Sequence, residues 1–556
     1  MKRKLFNLSL IALAGLLISA CSSPEKMVDA ANLVQKKCEP AILEAKANAI
    51  DARYTLTFPE KYFHPKAILE VVPVLMYDGG EETGTSKWLQ GEDVTDNYTV
   101  IPKTGGSVAQ VVQFDYKPGM EKAVFELRVK LHYKGKAVPF ALPFKMADGT
   151  NTTYMLVEKM GTPIFAVDAF QKTYVEEREA RILYPINSAT IRPSELTKEE
   201  VKSLEAFLTE VKNDPKKEAK ATSIVAYSSP EGPTTLNEKL STNRGKAAKD
   251  ALARSMRRMN NQTPVEVSSV SEDWDGFREL VSGSSIADRE LILRVLSMYS
   301  DPVVREREIK NMSKVYQILA DKILPDLRRA RIIAQADVTN YSNSELNALV
   351  AGNNMDELDI EALLYAASIE NDLSTKIMIY NKAAQKFNDW RAYNNLACVY
   401  LAQDNNIADA KAAMSKIVIV NEITKNNNGV IALREGRMDD AAKLFGEASS
   451  FAQARQNLGI VLILNGHYTE AAKQLESAGN FNEALANVLI NNNNKASDIL
   501  KNLSSGKARY LNAVIAAREG NSVKVAIELQ GAYSNDSALR ARAQKDIEFA
   551  KFPSSL

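Results

Sequence analysis

Apolar residues recur along this 556-residue chain with a succession of different spacings. A short basic start, Met1 to Lys4, is followed by an apolar run from Leu5 to Ile18 broken only by Asn7, Ser9 and Gly15. Residues 28–50 then show helical spacing with many Ala and Leu, which predicts a helix. From Tyr54 the period drops to two. Segments 54–58, 67–72, 108–114, 123–133 and 152–157 favour β-branched and aromatic residues, with turn clusters at 78–80, 105–106, 134–135 and 148–149. That pattern predicts a β-sandwich over 51–177. Between 178 and 340 the periods mix: a strand at 182–186, a helix at 198–211, a strand at 221–227 and a helix at 237–256, with a helical insertion near 285–320. Residues 341–556 are helical in pattern almost throughout. The chain is thus expected to be a multidomain α+β protein.

The last third repeats itself. Gly429, Ala432, Gly436, Ala441, Phe445 and Ala448 have the same internal spacing as Gly459, Leu462, Gly466, Ala471, Leu475 and Ala478, and as Ala513, Ala516, Gly520, Val525, Leu529 and Ala532. The spacing is similar to that of tetratricopeptide repeats, which implies that the small residues stand where two helices of a hairpin meet and the large ones where hairpins stack. The resemblance also implies an all-α solenoid with a concave groove for peptides or partner proteins. Asn426 to Asn428 and Asn491 to Asn494 fall between the expected helices and read as solvated loops. Arg434 and Arg518 hold matched positions and fit either a partner's acidic tail or exposed helix charges.

Charge adds little. The first 20 residues carry three bases and no acid, so a whole-chain charge of +1 falls to −2 without them. No field toward nucleic acid results. Beyond the first 20 residues no apolar run reaches the ~18 residues a membrane helix requires.

The start of the chain is more specific. Leu17-Ile-Ser-Ala-Cys21 resembles the bacterial lipobox, which implies a signal peptide over 1–20, a diacylglyceryl group on the Cys21 sulfur and a lipidated tether at the head of 21–50. Several acyl chains at ~0.8 kcal/mol per buried methylene hold a membrane firmly. Ser22, where an Asp would retain the protein elsewhere, resembles the outer-membrane sorting pattern. With Cys21 acylated, only Cys38 and Cys398 remain, which excludes a disulfide scaffold but not one long-range bridge.

In the middle segment, Tyr227-Ser-Ser-Pro-Glu-Gly232 followed by Asn237-Glu-Lys-Leu-Ser-Thr-Asn-Arg244 resembles the OmpA C-terminal-like domain, matching its Asn-x-x-Leu-Ser-x-x-Arg signature at each fixed position. The arginines at 328 and 329 resemble the pair that opens the family's closing strand. The Ser-Pro-Glu-Gly form and the helical insertion look like a Bacteroidetes branch of the family. The resemblance implies a peptidoglycan site in which a loop Asp meets the ammonium of diaminopimelate and the helix Arg meets its carboxylate. Arg244 keeps the second role. Ser229 stands where the Asp would be, and a hydroxyl supplies no counter-charge; a lost charge-assisted bond removes ~1.5–3 kcal/mol. Glu231 either replaces that charge or is an exposed turn acid. Arg244 itself is either a ligand or a helix-surface ion pair. Asn237 and Ser241 are expected to cap and pin the second helix.

No chemistry of bond-making is indicated. The three histidines, His64, His132 and His467, are scattered, no His-x-x-x-His or Cys-x-x-Cys pair exists, and no phosphate loop appears. No metal or other cofactor is expected. The functional expectation is a non-enzymatic outer-membrane lipoprotein that holds other envelope proteins in its repeat groove, as a scaffold in an assembly or export complex. Two alternatives stand beside it: a peptidoglycan tether, and a surface adhesin or fimbria accessory, which the immunoglobulin-like kind of sandwich expected over 51–177 would fit. Periplasmic and cell-surface exposure are both open.

Overall fold

The computed structural model describes residues 24–403 and 406–556. The signal segment 1–20 and the lipidation residue Cys21 lie outside them. The chain is mixed α+β, and its described residues divide into two compact units, one made of 24–167 with 383–403 and 406–556, the other of 168–382. No helix among the described residues is long and apolar enough to cross a membrane.

The first unit opens with two sheets. In one, the order is Gln35–Glu39, Ala49–Phe58, Leu43–Lys46, Thr150–Asn151, with Gly106–Asp115 also paired to Ala49–Phe58. In the other, Ile68–Tyr77 and Val124–Tyr133 form the centre, flanked by five shorter strands. Ala49–Phe58 shows why: Ile50, Ala52, Tyr54, Leu56 and Phe58 are buried while alternate residues face outward. The inner faces meet at aromatic rings, Tyr54 to Phe125 at 6.3 Å and Phe114 to Phe125 at 6.0 Å between centroids.

Two sequence expectations fail here. The helix predicted over 28–50 does not run through that range: it is limited to the end of a short helix, Glu25–Asp29, and a 3-10 turn, Ala31–Leu33, and residues 35–58 instead form three strands. Ala47 and Asn48 both adopt positive φ, closing a two-residue hairpin that sets Ala45 opposite Ile50. Burial of Leu43, Ala45 and Ile50 in the sheet outweighs the modest helix preference of Ala and Leu. The strand predicted at 152–157 is a 3-10 turn, Thr153–Leu156, and the chain then runs on without regular structure to Thr173.

The helices of this unit come in pairs: Trp390–Ala402 with Ile407–Met414, Glu422–Arg434 with Met438–Gly446, Ala452–Leu464 with Tyr468–Gln474, Phe481–Leu489 with Asn493–Leu500, and Gly506–Arg518 with Ser522–Asn535. Space explains the small residues between them. A Cβ on Gly429 would stand 2.6 Å from the Phe445 ring, and one on Gly459 would stand 2.5 Å from Leu475. In four of the five pairs the turn after the first helix has a left-handed residue: Gly436, Gly466, Gly520 and Asn491.

The second unit contains one sheet in the order Thr173–Leu183, Arg329–Thr339, Thr222–Tyr227, Val265–Val270, with Lys217–Ala219 beside Arg329–Thr339. Helices Glu199–Asn213 and Thr234–Arg258 cover one face, packing Leu204, Phe207, Leu208, Ala248 and Leu252 on Ile182, Ile224, Ile332 and Ala334. Four more helices between Trp274 and Lys322 surround a separate core of Phe277, Val281, Ile292, Leu296, Ile309 and Leu319.

Candidate functional site

Two places gather buried polar side chains. The first lies in the second unit, where Thr222–Tyr227 ends. Arg244 projects from helix Thr234–Arg258 and is 1 % exposed. Its Nε donates to the Ser188 carbonyl at 3.0 Å and its Nη1 to the Tyr227 carbonyl at 2.9 Å. Nη1 also reaches Ser228 Oγ at 3.4 Å, and Nη2 reaches the Pro185 carbonyl at 3.4 Å. The guanidinium lies 5.4 Å over the Tyr184 ring. Burial pushes its pKa down to about 10, so it remains charged at neutral pH.

The loop residues beside it are equally engaged. Ser229 Oγ donates to Glu231 Oε1 at 2.7 Å, and that oxygen also accepts from Arg328 Nε at 2.8 Å. The Gly232 N–H donates to Glu306 Oε1 at 2.6 Å, from the inserted helix Pro302–Asn311. Asn237 is 2 % exposed; its carbonyl accepts from Ser228 Oγ at 2.9 Å and its Nδ2 donates to the Gly232 carbonyl at 3.3 Å. The structure therefore brings Arg244, Ser229, Glu231 and Asn237 into one cluster. It also corrects two expectations. Asn237 is not a helix cap, because the helix begins at Thr234 after Pro233; it pins the loop instead. Glu231 is not an exposed turn acid, since the side chain is 15 % exposed and paired to Arg328.

The second place is in the first unit, along the first helices of the pairs. Residues 158–166 run past them, and asparagine side chains grip the passing main chain. Asn482 accepts the Glu158 N–H and donates to its carbonyl, both at 2.9 Å. Asn457 does the same for Thr162 at 2.7 and 2.8 Å, Asn427 for Ile164 at 2.7 and 2.8 Å, and Asn395 for Ala166 at 2.7 and 2.9 Å. A primary amide presents one donor beside one acceptor, which matches the N–H and C=O that one extended residue shows on the same side.

Two further asparagines tie the row together. Asn426 donates to the Thr162 carbonyl and Asn394 to that of Ile164, while Asn427 donates to Asn394 Oδ1 at 2.8 Å and Asn457 to Asn426 Oδ1 at 2.9 Å. The buried Cys398 thiol adds a bond to the Ile164 carbonyl at 3.2 Å. All six asparagines are buried. A net bond contributes about 1 kcal/mol, whereas one buried group left unpaired costs about 1–3 kcal/mol.

This overturns the reading of 426–428 as a solvated loop: these residues are inside helix Glu422–Arg434, and Asn426 and Asn427 are fully buried. Of the second run, Asn491 forms the left-handed turn and Asn493 begins a helix. Nor do the matched arginines await an acidic tail. Arg434 Nε donates to the Met160 carbonyl at 2.7 Å, and Arg518 pairs with Glu548 at 2.6 Å. The long-range bridge left open for Cys38 and Cys398 is absent; both are free, buried thiols.

A signal for the ladder was present. Asn395, Asn427, Asn457 and Asn482 each stand two residues before the small packing residue of their pair, namely Ala397, Gly429, Gly459 and Ala484. Neither cluster holds a nucleophile with a base, and no group of three or more His, Cys, Asp or Glu suited to a metal occurs among the described residues. Compared with known proteins, the chain matches no family model and no curated protein.

Proposed function

We propose that this chain is a non-catalytic lipoprotein of the outer membrane, anchored through Cys21, that serves as a protein scaffold in an envelope assembly or export complex. On this reading 178–340 is an OmpA C-terminal-like module, 51–177 an immunoglobulin-like sandwich, and the helical pairs are tetratricopeptide repeats. The Asn237-to-Arg244 run beside the Ser-Pro-Glu-Gly loop supports the first assignment. The small residues at helix contacts and the left-handed turn residues support the last.

One observation favours the scaffold over the peptidoglycan tether: Arg244 is buried with its donors on the chain's own carbonyls. A zwitterionic stem peptide needs a guanidinium fork open to a carboxylate and an acid open to an ammonium. Arg244 would have to abandon Ser188 and Tyr227 to serve, and Glu231 would have to abandon Arg328. The test is co-sedimentation of the purified full chain with sacculi, alongside crosslinking in the native envelope. The scaffold reading expects no sedimentation and crosslinks to other envelope proteins. Sedimentation with sacculi, or an envelope without crosslinked partners, overturns it.

A further inference from the structure

The extended segment in the asparagine row is hydrogen-bonded along one side only. N–H and C=O groups of an extended chain alternate sides, and the asparagines take those of Thr162, Ile164 and Ala166. The N–H and C=O groups of Phe165 and Val167 and the carbonyl of Pro163 therefore face the other way. None of these has a protein hydrogen-bond partner among the described residues. The side chains follow the same division. Ile164 and Ala166 are 6 % and 4 % exposed, whereas Phe165 and Val167 are 44 % and 82 % exposed.

An open strand edge is a template for another strand. The open side of 163–167 offers the same kind of unpaired groups, and the exposed side chains of Phe165 and Val167 flank it. Its donors and acceptors, spaced two residues apart, are complementary to the main chain of an extended peptide. A helix has its own N–H and C=O groups already paired along its length, so it cannot meet them.

We propose that the open edge of 163–167 is a docking site for an extended, apolar-rich segment of a partner protein, which adds as a second strand. The inference rests on the scaffold reading and gives its partner a shape. It also moves the contact that the repeat groove was expected to make: the asparagines hold the chain's own extended segment, and that segment, not the helices, meets the partner. The docking segment carries apolar residues at alternate positions, to pack beside Phe165 and Val167, and has no proline where an N–H must meet the Phe165 carbonyl.

The test uses the purified full chain and a labelled peptide of seven alternating Thr and Val residues, with a twin N-methylated at every amide. The expected result is saturable binding of the first and at least ten-fold weaker binding of the twin. Phe165→Pro, which removes the outward N–H, is expected to weaken binding ten-fold or more, and Phe165→Ala only a few-fold. Amide exchange at Ile164 controls for folding, and should be as slow in both variants and in the bound state as in the free protein. No binding, equal binding of the twin, or loss of Ile164 protection on binding overturns the proposal; the last would mean that the peptide displaces the strand. Pairing of two copies through this edge would appear as a dimer lost in Phe165→Pro and would also overturn it. A photo-crosslinker at Val167 in the native envelope separates this failure from that of the scaffold: partners captured from other faces but not from Val167 sink the docking site alone.

Discussion

Arg244 and the asparagine row perform similar work by different means. Both use buried side chains to satisfy main-chain groups at the end of regular structure or beyond it. Arg244 does so with a charge, holding carbonyls of three residues around one end of a sheet. The asparagines do so with neutral amides, one pair of bonds for each extended residue, repeated from helix to helix. A buried guanidinium carries a desolvation penalty that only its full set of acceptors offsets, so its site fails as a whole. Neutral amides carry a smaller penalty and divide it, so their row should fray a step at a time.

That contrast can be broken in order of expected effect. Arg244→Ala leaves the Ser188 and Tyr227 carbonyls buried without donors, and is expected to destabilise the second unit by about 3–5 kcal/mol. Urea unfolding followed by amide exchange in Ile224 and Ile332 measures it; an effect under about 1 kcal/mol would mean that the cluster is wet and open. Asn427→Ala removes both bonds to Ile164 and the link to Asn394, for about 2–3 kcal/mol. Its Ile164 amide should exchange at least ten-fold faster while the two sheets stay protected. Asn482→Ala, at the end of the row, should cost about 1 kcal/mol and speed exchange at Glu158 but not at Ile164. Equal losses at both amides would show that the row is all-or-none.

Acid should separate the units most gently. The hydrogen bond from Arg331, with the nearby arginine charge, holds the Glu179 carboxyl below the usual carboxylate range. A carboxyl lowered in the folded state contributes stability above its unfolded pKa and loses it as pH falls through the folded one. Stability of the second unit should therefore decline below about pH 4.5, and Glu179→Gln should flatten part of that slope. No carboxylate bonds to Ile164 or to the asparagines that hold it, and the Cys398 thiol is pushed up by burial. Protection at Ile164 should be level from about pH 8 to about pH 5, and a dependence there would contradict the amide assignments.

The legible parts of the sequence were those governed by near neighbours. Alternation at Ala49–Phe58 and Val124–Tyr133, and the small-to-large spacing of Gly429 with Phe445, follow from one strand or one helical pair. The hairpin at Ala47 and Asn48 was missed because an Ala-rich run is ambiguous until its sheet partners are known. Glu306 could not be placed on the Gly232 loop, since 74 residues separate them. The asparagine row was misread for the same reason. Polar residues in a helix look solvated unless the strand they hold is known, and Ile164 precedes Asn427 by 263 residues.

That separation has a consequence for how the protein is made. A chain that emerges from its N-terminus exposes Phe165 and Val167 long before the helices that grip their neighbours exist. The whole second unit, 168–382, must emerge in between. Gly161 at positive φ and Pro163 resist capture of the segment into a helix during that wait. They do not resist capture by a foreign strand edge. The slow step in assembly should be closure of this long loop, and the interval before it is when the strand most needs a chaperone.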